Sequence, residues 1–523
     1  MHLSPNVADW LLGHADSLRG MRRGLEKESL RIDAGGRLAQ TPHPTGLGAA
    51  LTHAQITTDY SEALLELITP ALPSIAEALQ HLDDLHAYVY RHLDDEQLWP
   101  HSMPCLLGED AAIPLAQYGS SNSGRMKTLY RHGLGLRYGR KMQTIAGIHY
   151  NLSFPDAFWQ LRAAQQNWSG DLSTLKSRDY FSLVRNFQRH SWLLLYLYGA
   201  SPAVCASFLA GKQHPLMHST SGHTLYLPYA TSLRMSDIGY QNHVQAGLTV
   251  SYNDLPHYVR DLDRAIRTPH PDFMALGVVS ADGERQQISG NILQIENEYY
   301  GLIRPKRTVQ RGERPALALQ RRGVEYVELR CVDLDPFSPR GIDTVAAHFL
   351  EVFALHMLLM ESPCFQAPER AILSENQRRV VQEGRRPGLR LLDGQGEFDF
   401  HTRALALLEA MSVSAAALDR AYDEHGYSAA LQAYRQRILE PERCLSARIL
   451  THLLPEQGSF FEFALQVAKD TRAHYLQQPL AAATASTLAD LARRSLDDQR
   501  ALEASDKIDL DAYLAAYFEP PLS

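Results

Sequence analysis

Cysteine is scarce and widely scattered in this chain. The five cysteines among 523 residues stand at positions 105, 205, 331, 364 and 444, so no CxxC pair exists. This spacing excludes the common zinc and dithiol motifs, and an odd, scattered set is typical of reduced thiols in the cytoplasm. The amino-terminal stretch lacks a basic segment followed by an apolar one, which indicates no secretory signal. We therefore expect a cytoplasmic protein.

Long apolar runs and a strong excess of one charge are missing too. The two most apolar stretches, 191–211 and 345–365, are interrupted by glycine and proline or by histidine and glutamate. Neither offers the roughly 18 uninterrupted apolar residues of a membrane helix, so we expect both in the core. The net charge is −8, from 51 Lys and Arg against 59 Asp and Glu, which argues against a chain that coats nucleic acid.

Familiar nucleotide-binding and hydrolytic motifs are also absent. The sequence contains no GxxxxGK[ST] loop, no GxGxxG after a strand, and no GxSxG, HExxH or protein-kinase signature. If this chain uses ATP, it must hold the triphosphate with metal ions and with arginine and lysine side chains. Suitable basic segments exist: residues 111–155 and 180–236 contain no Asp or Glu, and residues 304–322 hold seven Lys or Arg against the single acid Glu313.

Local patterns predict a mixed helical and stranded chain. Ser74 followed by Glu77 forms a capping box that opens a helix over about 75–93. Alternation of apolar and polar residues predicts strands over 142–154 and 324–332.

The predicted secondary structure changes along the chain, which suggests two parts. Segment 291–295 is β-prone, whereas helical patterns dominate after residue 366, as in 404–411 and 482–504. We predict a β-rich catalytic core over residues 1–365 and a helical carboxy-terminal region, 366–523, packed on that core.

The first candidate site is the pair of carboxylates at Glu26 and Glu28. On a strand these side chains point to one side, so they repel unless one is protonated or a cation lies between them. Mg²⁺ suits such a pair because it prefers hard oxygen ligands and carries water and phosphate. A solvated edge strand with exposed acids is the alternative, and it is the commoner outcome for so short a motif.

A second acidic candidate comprises Asp59 and Glu66. Glu66 lies in the apolar run 63–68, and a buried carboxylate is rarely left without a partner. A spacing of seven fits a helix, whereas the alternation around Glu66 fits a strand, so this element stays ambiguous. An ordinary amphipathic helix with exposed acids is the alternative.

Two polar strand faces complete the set of candidates. Glu328 and Arg330 share a face, either as a structural ion pair or with Glu328 on a metal and Arg330 on a phosphate. His149 shares a face with Gln143 and Asn151, where a structurally satisfied histidine is commoner than a ligand. The acid-free basic tract around His149 favours a functional role.

Several long segments of the chain form a recognisable series. Between about residues 20 and 390 they run in the order GLEKESLR, LTHAQITTDYSEALLELITP, WPHSMPC, LAQYGSSNSGRMKTLYRHGL, MQTIAGIHYNLSFP, YLPYATSLRMSDIGY, LQIENEYYGLIRPKR, GVEYVELRCVDLDPFSP and EGRRPGL. This series strongly resembles the proteobacterial glutamate–cysteine ligases, also called γ-glutamylcysteine synthetases. The resemblance becomes patchy further on, where SARIL is the clearest remnant.

The resemblance implies a fold and a reaction. The fold would be α+β: a curved antiparallel sheet funnel related to the glutamine synthetase catalytic domain, with outer helices and a helical carboxy-terminal region. The reaction would join the glutamate γ-carboxylate to the cysteine amine through a γ-glutamyl phosphate, with ATP and Mg²⁺ as cofactors. This is the first step of glutathione biosynthesis, and phosphorylation supplies the leaving group that a carboxylate lacks.

The resemblance also assigns roles to individual residues. The implied metal ligands are Glu26, Glu28, Asp59, Glu66, His149 and Glu328. The residues implied to act on phosphate or substrate carboxylates are Arg330, Arg234 and Arg131, and those implied to contact the nucleotide are Lys306, Arg307 and Arg330. The implied substrate-binding residues are Tyr60, Tyr130, Leu134, Gln143, Arg234, Tyr240 and Tyr300. Tyr60 departs from the phenylalanine that relatives often carry, which adds a hydroxyl near the cysteine pocket.

Two further hypotheses remain open. One is a related carboxylate–amine ligase that uses a different amine acceptor. The other is a metal or nucleotide sensor without turnover, although the presence of every proposed acid and of Arg330 argues against it. For the ligase we expect a monomer that binds the small molecules glutamate and cysteine, with neither nucleic acid nor a membrane as partner.

Overall fold

The computed structural model describes residues 1–104, 106–219, 222–239, 244, 247–453 and 458–519. The strands in chain order are β1 (Arg22–Ile32), β2 (Ile56–Thr58), β3 (Leu64–Ile68), β4 (Gln97–Leu98), β5 (Ile148–Ser153), β6 (Ala203–Cys205), β7 (Met217–His218), β8 (Thr224–Tyr226), β9 (Ile303–Lys306), β10 (Tyr326–Val332), β11 (Arg390–Asp393) and β12 (Gly396–Asp399).

The α-helices within the same residues surround these strands. In chain order they are α1 (Pro5–Gly13), α2 (Ile75–Tyr90), α3 (Asn122–Tyr138), α4 (Asp156–Gln165), α5 (Leu172–Leu197), α6 (Leu255–Arg267), α7 (Pro271–Ala275), α8 (Pro315–Arg322), α9 (Thr344–Leu359), α10 (Glu369–Glu383), α11 (Phe400–Ala410), α12 (Ser412–Tyr422), α13 (Gly426–Leu439), α14 (Leu445–Leu453), α15 (Phe460–Gln477), α16 (Ala482–Ser505) and α17 (Leu510–Phe518). The chain is therefore of the α+β class.

The described strands form one large antiparallel sheet and two small ones. The large sheet runs β2-β3-β1-β5-β10-β9, and β4 pairs with the end of β1. The small sheets are β6-β8-β7 and the hairpin β11-β12. Because consecutive residues of a strand alternate between its faces, each strand of the large sheet contributes every second side chain to one side.

One face of the large sheet is apolar and covered by helices. Leu25, Tyr150, Leu152, Val327 and Leu329 all lie on this face and are buried. Helix α2 packs on β1, α5 packs on β9 and β10, and α9 packs on both helices. Burial of this face leaves the opposite face, with its charged side chains, as the wall of a cavity.

The helix predicted over about 75–93 is confirmed, and it ends at Tyr90. The Ser74 side chain accepts a hydrogen bond of 3.1 Å from the Glu77 backbone N–H, as the capping box requires. The N–H groups of Arg91 and His92 then bond to carbonyls one turn back, which closes the helix in a tight turn.

The two predicted strands are present but start later than expected. Residues 142–144 belong to a short 3₁₀ helix, because the N–H groups of Arg140 and Lys141 bind the Asp110 carboxylate at 3.0 and 2.9 Å instead of a neighbouring strand. Likewise the Val324 N–H bonds to the Ser177 hydroxyl, and β10 begins at Tyr326.

The β-prone segment 291–295 is not a strand. The Ile292 and Leu293 N–H groups bond to the carbonyls of Thr268 and Ala265 at the end of α6. Apart from an isolated bridge between Asn291 and Pro269, the segment makes no strand pairing within the described residues. Tertiary contact with a helix end thus overrides the local β-propensity.

One hydrophobic cluster of the described residues runs from Leu3 to Leu488, so buried side chains before and after residue 365 share a core. The proposed carboxy-terminal region is mainly helical but also holds the hairpin β11-β12. The division at residue 365 stays a prediction.

The described cysteines are not all reduced. Cys205 is disulfide-bonded, so the expectation of reduced thiols is wrong at this position. Cys331, Cys364 and Cys444 are free.

In the part of the chain that the structure describes, no helix combines the length and apolar character that crossing a membrane requires.

Candidate active site

Strand register brings the predicted acids together on the charged face of the large sheet. Glu28 on β1 lies directly opposite Glu66 on β3, and Glu26 lies opposite His149 on β5. Glu66 is therefore on a strand, which resolves the ambiguity in its segment. Its opposite neighbour on the other side is Thr57 of β2.

The next strand extends this row of carboxylates. Glu328 on β10 lies opposite Asn151 on β5, and the Asn151 amide donates a hydrogen bond of 2.7 Å to Glu26 Oε1. Asp59 lies in the turn between β2 and β3, and its negative charge helps to raise the pKa of both Glu28 and Glu66. All six predicted metal ligands therefore surround one region of the cavity.

Three of these side chains are close enough to share one cation. Ligand atoms of Glu26, Glu66 and His149 all lie within 4.8 Å of one another. His149 Nδ1 lies 3.0 Å from Glu26 Oε2, and His149 Nε2 lies 3.9 Å from Glu28 Oε1. Carboxylate oxygens and an imidazole nitrogen at this spacing fit a divalent cation.

The electrostatics of the cluster also fit a cation. Burial raises the pKa of Glu66 well above its ordinary value, and the charges of Glu26, Asp59, Glu28 and Glu328 raise it further. Burial likewise raises the pKa of Glu28, against the opposing effect of His149. Because the carboxylates repel one another, a bound divalent cation would relieve that repulsion.

Basic side chains occupy the other side of the same row. Lys306 Nζ lies 3.2 Å and Arg330 Nη1 3.1 Å from the Glu328 carboxylate, and Arg304 lies 3.7 Å from it. Although burial opposes ionisation of Glu328, these three cations and His149 hold its pKa well below the ordinary value. Acidic and basic side chains thus lie next to each other at one edge of the sheet. A metal-bound polyphosphate needs both, the acids for its metal ion and the bases for its phosphates.

The charged face forms the floor of a cavity of about 1710 Å³. The predicted residues that line it, besides the five acids and the histidine, are Tyr60, Tyr130, Arg131, Leu134, Gln143, Tyr300, Lys306 and Arg330. Such a volume exceeds that of a drug-sized ligand site and accommodates a nucleotide together with small substrates.

Helix α3 supplies one wall of this cavity. Most of the residues it presents there recur at helical spacing, and the full set is Ser123, Met126, Lys127, Tyr130, Arg131, Leu134, Leu136, Arg137 and Tyr138. Arg131 lies over the Tyr118 ring at 4.6 Å and donates to the Asp59 carbonyl, so it is tied to the acidic turn. The acid-free tract 111–155 recognised in the sequence therefore contains this whole helix.

Two predicted residues lie outside the cavity lining. Arg234 is buried behind the cavity, where it pairs with Asp333 at 3.4 Å and donates to the Arg330 carbonyl at 3.0 Å. Arg307 is not part of the lining; it donates to the Arg322 carbonyl and lies 3.5 Å from Glu325. Tyr240 lies outside the described residues.

Sequence reasoning did not single out two cations of the site. Arg304 lines the cavity two residues before Lys306 on the same strand face, a signal that period-two alternation offered. Lys127 lies one helical turn before Arg131, with its Nζ 5.2 Å from the Tyr118 ring. Burial, with some help from Arg131, lowers the pKa of Lys127 to about 8.

Comparison with known proteins identifies the family. The family model for glutamate–cysteine ligase matches residues 10–380. This chain belongs to the glutamate–cysteine ligase family. It is 51% identical over 508 residues to the glutamate–cysteine ligase of Alcanivorax borkumensis, covering 96% of this chain and 97% of that one. It is 45% identical over 508 residues to the glutamate–cysteine ligase of Saccharophagus degradans, covering 97% and 96%.

Solved structures agree with that assignment. The glutamate–cysteine ligase of Francisella tularensis, in complex with AMP, superposes with a TM-score of 0.89 at 37% identity, covering 96% of this chain and 98% of that one. A bifunctional glutathione synthetase from Pasteurella multocida superposes with a TM-score of 0.72 at 25% identity, and the match covers 93% of this chain and 58% of that one. This chain thus shares its fold, as well as its sequence, with glutamate–cysteine ligases.

Proposed function

We propose that this protein joins the γ-carboxylate of L-glutamate to the amine of L-cysteine with hydrolysis of ATP to ADP and phosphate. The observation that carries the proposal is the convergence, in one cavity, of six potential metal ligands with Lys306, Arg330 and an aromatic pocket. Family membership supports the same reaction, since its relatives carry the name glutamate–cysteine ligase.

The acidic row would hold Mg²⁺. Its residues are Glu26, Glu28, Asp59, Glu66, His149 and Glu328, and the mutual repulsion of the carboxylates fits the charge of the ion. When bound, Mg²⁺ would neutralise phosphate charge and align the triphosphate with the glutamate carboxylate.

Basic residues of the sheet edge would bind the phosphates. Arg330 presents a planar fork suited to the transferring phosphoryl group, and Lys306 and Arg304 lie beside it on β9. Arg234 would act as a positioning residue, because its guanidinium holds the backbone carbonyl of Arg330. The AMP complex of the F. tularensis relative supports a nucleotide site in this fold.

The reaction requires two displacements. A glutamate γ-carboxylate oxygen attacks the γ-phosphorus of ATP, and ADP leaves. The cysteine nitrogen then attacks the γ-carbonyl carbon of the acyl phosphate, the C–O bond to phosphate breaks, and the amine loses a proton. Cysteine would bind between α3 and the sheet, against the aromatic and apolar side chains Tyr60, Tyr130, Leu134 and Tyr300, with Gln143 as a polar neighbour.

Coarser properties complete the proposal. The large antiparallel sheet with its charged face is proposed to be the funnel related to the glutamine synthetase domain. We also propose that the protein works in the cytoplasm as a monomer on the first step of glutathione biosynthesis.

Incubation with ATP, Mg²⁺, glutamate and cysteine tests the activity directly. We expect stoichiometric ADP, phosphate and γ-glutamylcysteine, detected by mass spectrometry. Absence of these products from a protein with an intact circular dichroism spectrum would refute the proposal.

Two variants test the assigned roles. Glu328→Ala and Arg330→Ala should each lower kcat by orders of magnitude, since the first removes a proposed metal ligand and the second removes the cation proposed to bind the transferring phosphoryl group. The matched control is Arg321→Ala, whose side chain is 61% exposed and lies on α8. Near-normal turnover of either cavity variant would contradict its role.

A different amine acceptor is the second candidate function. The pocket named for cysteine is mostly apolar and aromatic, so small amino acids other than cysteine also fit it. Comparison of kcat/KM for cysteine, 2-aminobutyrate, serine and alanine decides between them, and we expect cysteine to be the best substrate.

A further inference from the structure

Helix α3 lacks the acidic residues that usually stabilise a helix amino terminus. Its first turn contains no Asp or Glu, and it lies in the acid-free tract 111–155. The Ser121 hydroxyl accepts a bond of 3.2 Å from the Gly124 N–H, but Ser121 carries no charge to oppose the helix dipole.

Carboxylates from the far end of the chain supply what α3 lacks. Asp506 accepts a hydrogen bond from the Asn122 N–H, and Glu503 accepts one of 2.8 Å from the Ser120 N–H. The Asn122 side chain also donates to the Ile508 carbonyl at 2.8 Å. These partners lie more than 380 residues away in sequence.

Apolar contacts fix the same two segments against each other. Leu510 and Leu514 of α17 form a cluster with Met126 and Leu129 of α3 that is separate from the main core. Tyr130, which lines the cavity, packs on this cluster as well. The carboxy-terminal helices therefore support the side chains behind the proposed cysteine pocket.

The carboxy-terminal helices also reach the cavity themselves. Its lining includes six of their residues, namely Asp498, Ala501, Leu502, Ser505, Tyr513 and Tyr517. Ser495 of α16 further binds the loop before β2, accepting from the Ala49 N–H at 2.9 Å. These carboxy-terminal helices are thus part of the wall of the site.

We infer that helices α16 and α17 and the segment between them are an active-site element whose residues Glu503 and Asp506 position α3 for the cysteine substrate. The inference rests on the proposed function for its substrate. Lys306 and Arg330 stand on the sheet, and α3 carries Tyr130 and Leu134, so the effect belongs to the amine subsite and spares the nucleotide subsite.

The test uses the full chain with both carboxylates replaced. In Glu503→Ala/Asp506→Ala, amides at the start of α3 should exchange with deuterium faster, while KM for cysteine rises about fivefold or more and KM for ATP changes little. The conservative pair Glu503→Gln/Asp506→Asn keeps acceptor oxygens and should recover part of both effects. The matched control is Asp490→Asn, an exposed acid on α16 that pairs with Arg493 at 3.0 Å.

Each result decides a separate part of the inference. Unchanged deuterium exchange in the double alanine variant would overturn the anchoring of α3. Faster exchange with an unchanged KM for cysteine, or an equal rise in KM for cysteine and ATP, would overturn the positioning role. A wild-type protein without ligase activity would refute the proposed function, and the exchange measurement would still decide the anchoring.

Discussion

At the scale of single residues, Tyr60 shows where an extra hydroxyl goes. Its ring lines the cavity, but the hydroxyl oxygen is buried and has no hydrogen-bond partner among the described residues. It points at Gly135 of α3, where a Cβ atom would come within 2.5 Å of it. The Tyr60 hydroxyl therefore lies behind the pocket wall, against α3.

We predict that Tyr60→Phe keeps kcat/KM for cysteine within about twofold and raises the stability to urea by up to about 1 kcal/mol, because it removes an unpaired buried polar group. Tyr60→Ala is the contrasting variant and should lower both, since the ring is lost. A tenfold or larger loss of kcat/KM in Tyr60→Phe would show that the hydroxyl contacts substrate.

A second residue-scale prediction concerns Glu66 in the metal-free protein. Because its folded-state pKa is raised above the ordinary 4.5, the folded chain keeps a proton that the unfolded chain loses. Stability should therefore fall as pH rises through this interval. In EDTA, the decrease in Tm from about pH 5 to about pH 8 should be smaller for Glu66→Gln than for wild type.

Metal addition supplies the control for Glu66. Mg²⁺ should raise the Tm of wild type at pH 8 and raise that of Glu66→Gln less, because the variant has lost a ligand. Equal pH slopes and equal responses to Mg²⁺ would contradict the carboxylate cluster as the metal site.

At the scale of elements, a buried ion pair joins the sheet to the helix layer. Arg23 on β1 binds Glu351 on α9 through two hydrogen bonds of 2.8 Å, and both side chains are inaccessible to solvent. The Tyr150 and Tyr427 hydroxyls also donate to Glu351, at 2.6 and 2.9 Å. This network fixes β1, which carries Glu26 and Glu28, at a set height above the helices.

Breaking this pair from one side should be costly. We predict that Arg23→Met destabilises the fold by about 3–5 kcal/mol in urea unfolding, because a buried carboxylate is left without its cation. The double variant Arg23→Met/Glu351→Leu should lose less than the sum of the two single losses. Arg493→Met, at an exposed pair, is the control, and strict additivity of the first pair would contradict the coupling.

At the scale of the whole molecule, the negative net charge does not describe the cavity, where acidic and basic side chains lie on different sides. The chain carries a net charge of −8, yet its folding collects Arg304, Lys306 and Arg330 around one site. A polyanion should therefore be attracted to that site although the protein as a whole is acidic.

Ionic strength tests this attraction. Between about 0.05 M and about 0.5 M NaCl we expect KM for ATP to rise several-fold and KM for cysteine to rise less, since cysteine is a zwitterion and salt screens charge pairs. Sucrose at matched osmolarity is the control. An equal change for both substrates would contradict a polyanion-binding edge.

Much of the site could be predicted from local patterns. Alternation along a strand is enough to place Glu26 with Glu28, and Glu328 with Arg330, on common faces, and the capping box at Ser74 marks a helix start. Strand starts were less predictable, because the Asp110 carboxylate and the Ser177 hydroxyl take backbone N–H groups that would otherwise pair with strands.

By itself, the sequence determined the chemistry of this protein: which acids, bases and aromatic residues are available, and which of them share a strand face. The tertiary structure alone decided which of them meet. Glu26 and His149 are 123 residues apart, and only strand pairing sets them 3.0 Å from each other. Arg234 became a buried support, and remote carboxylates came to anchor α3, because long-range packing follows from the sum of many contacts that no local pattern contains.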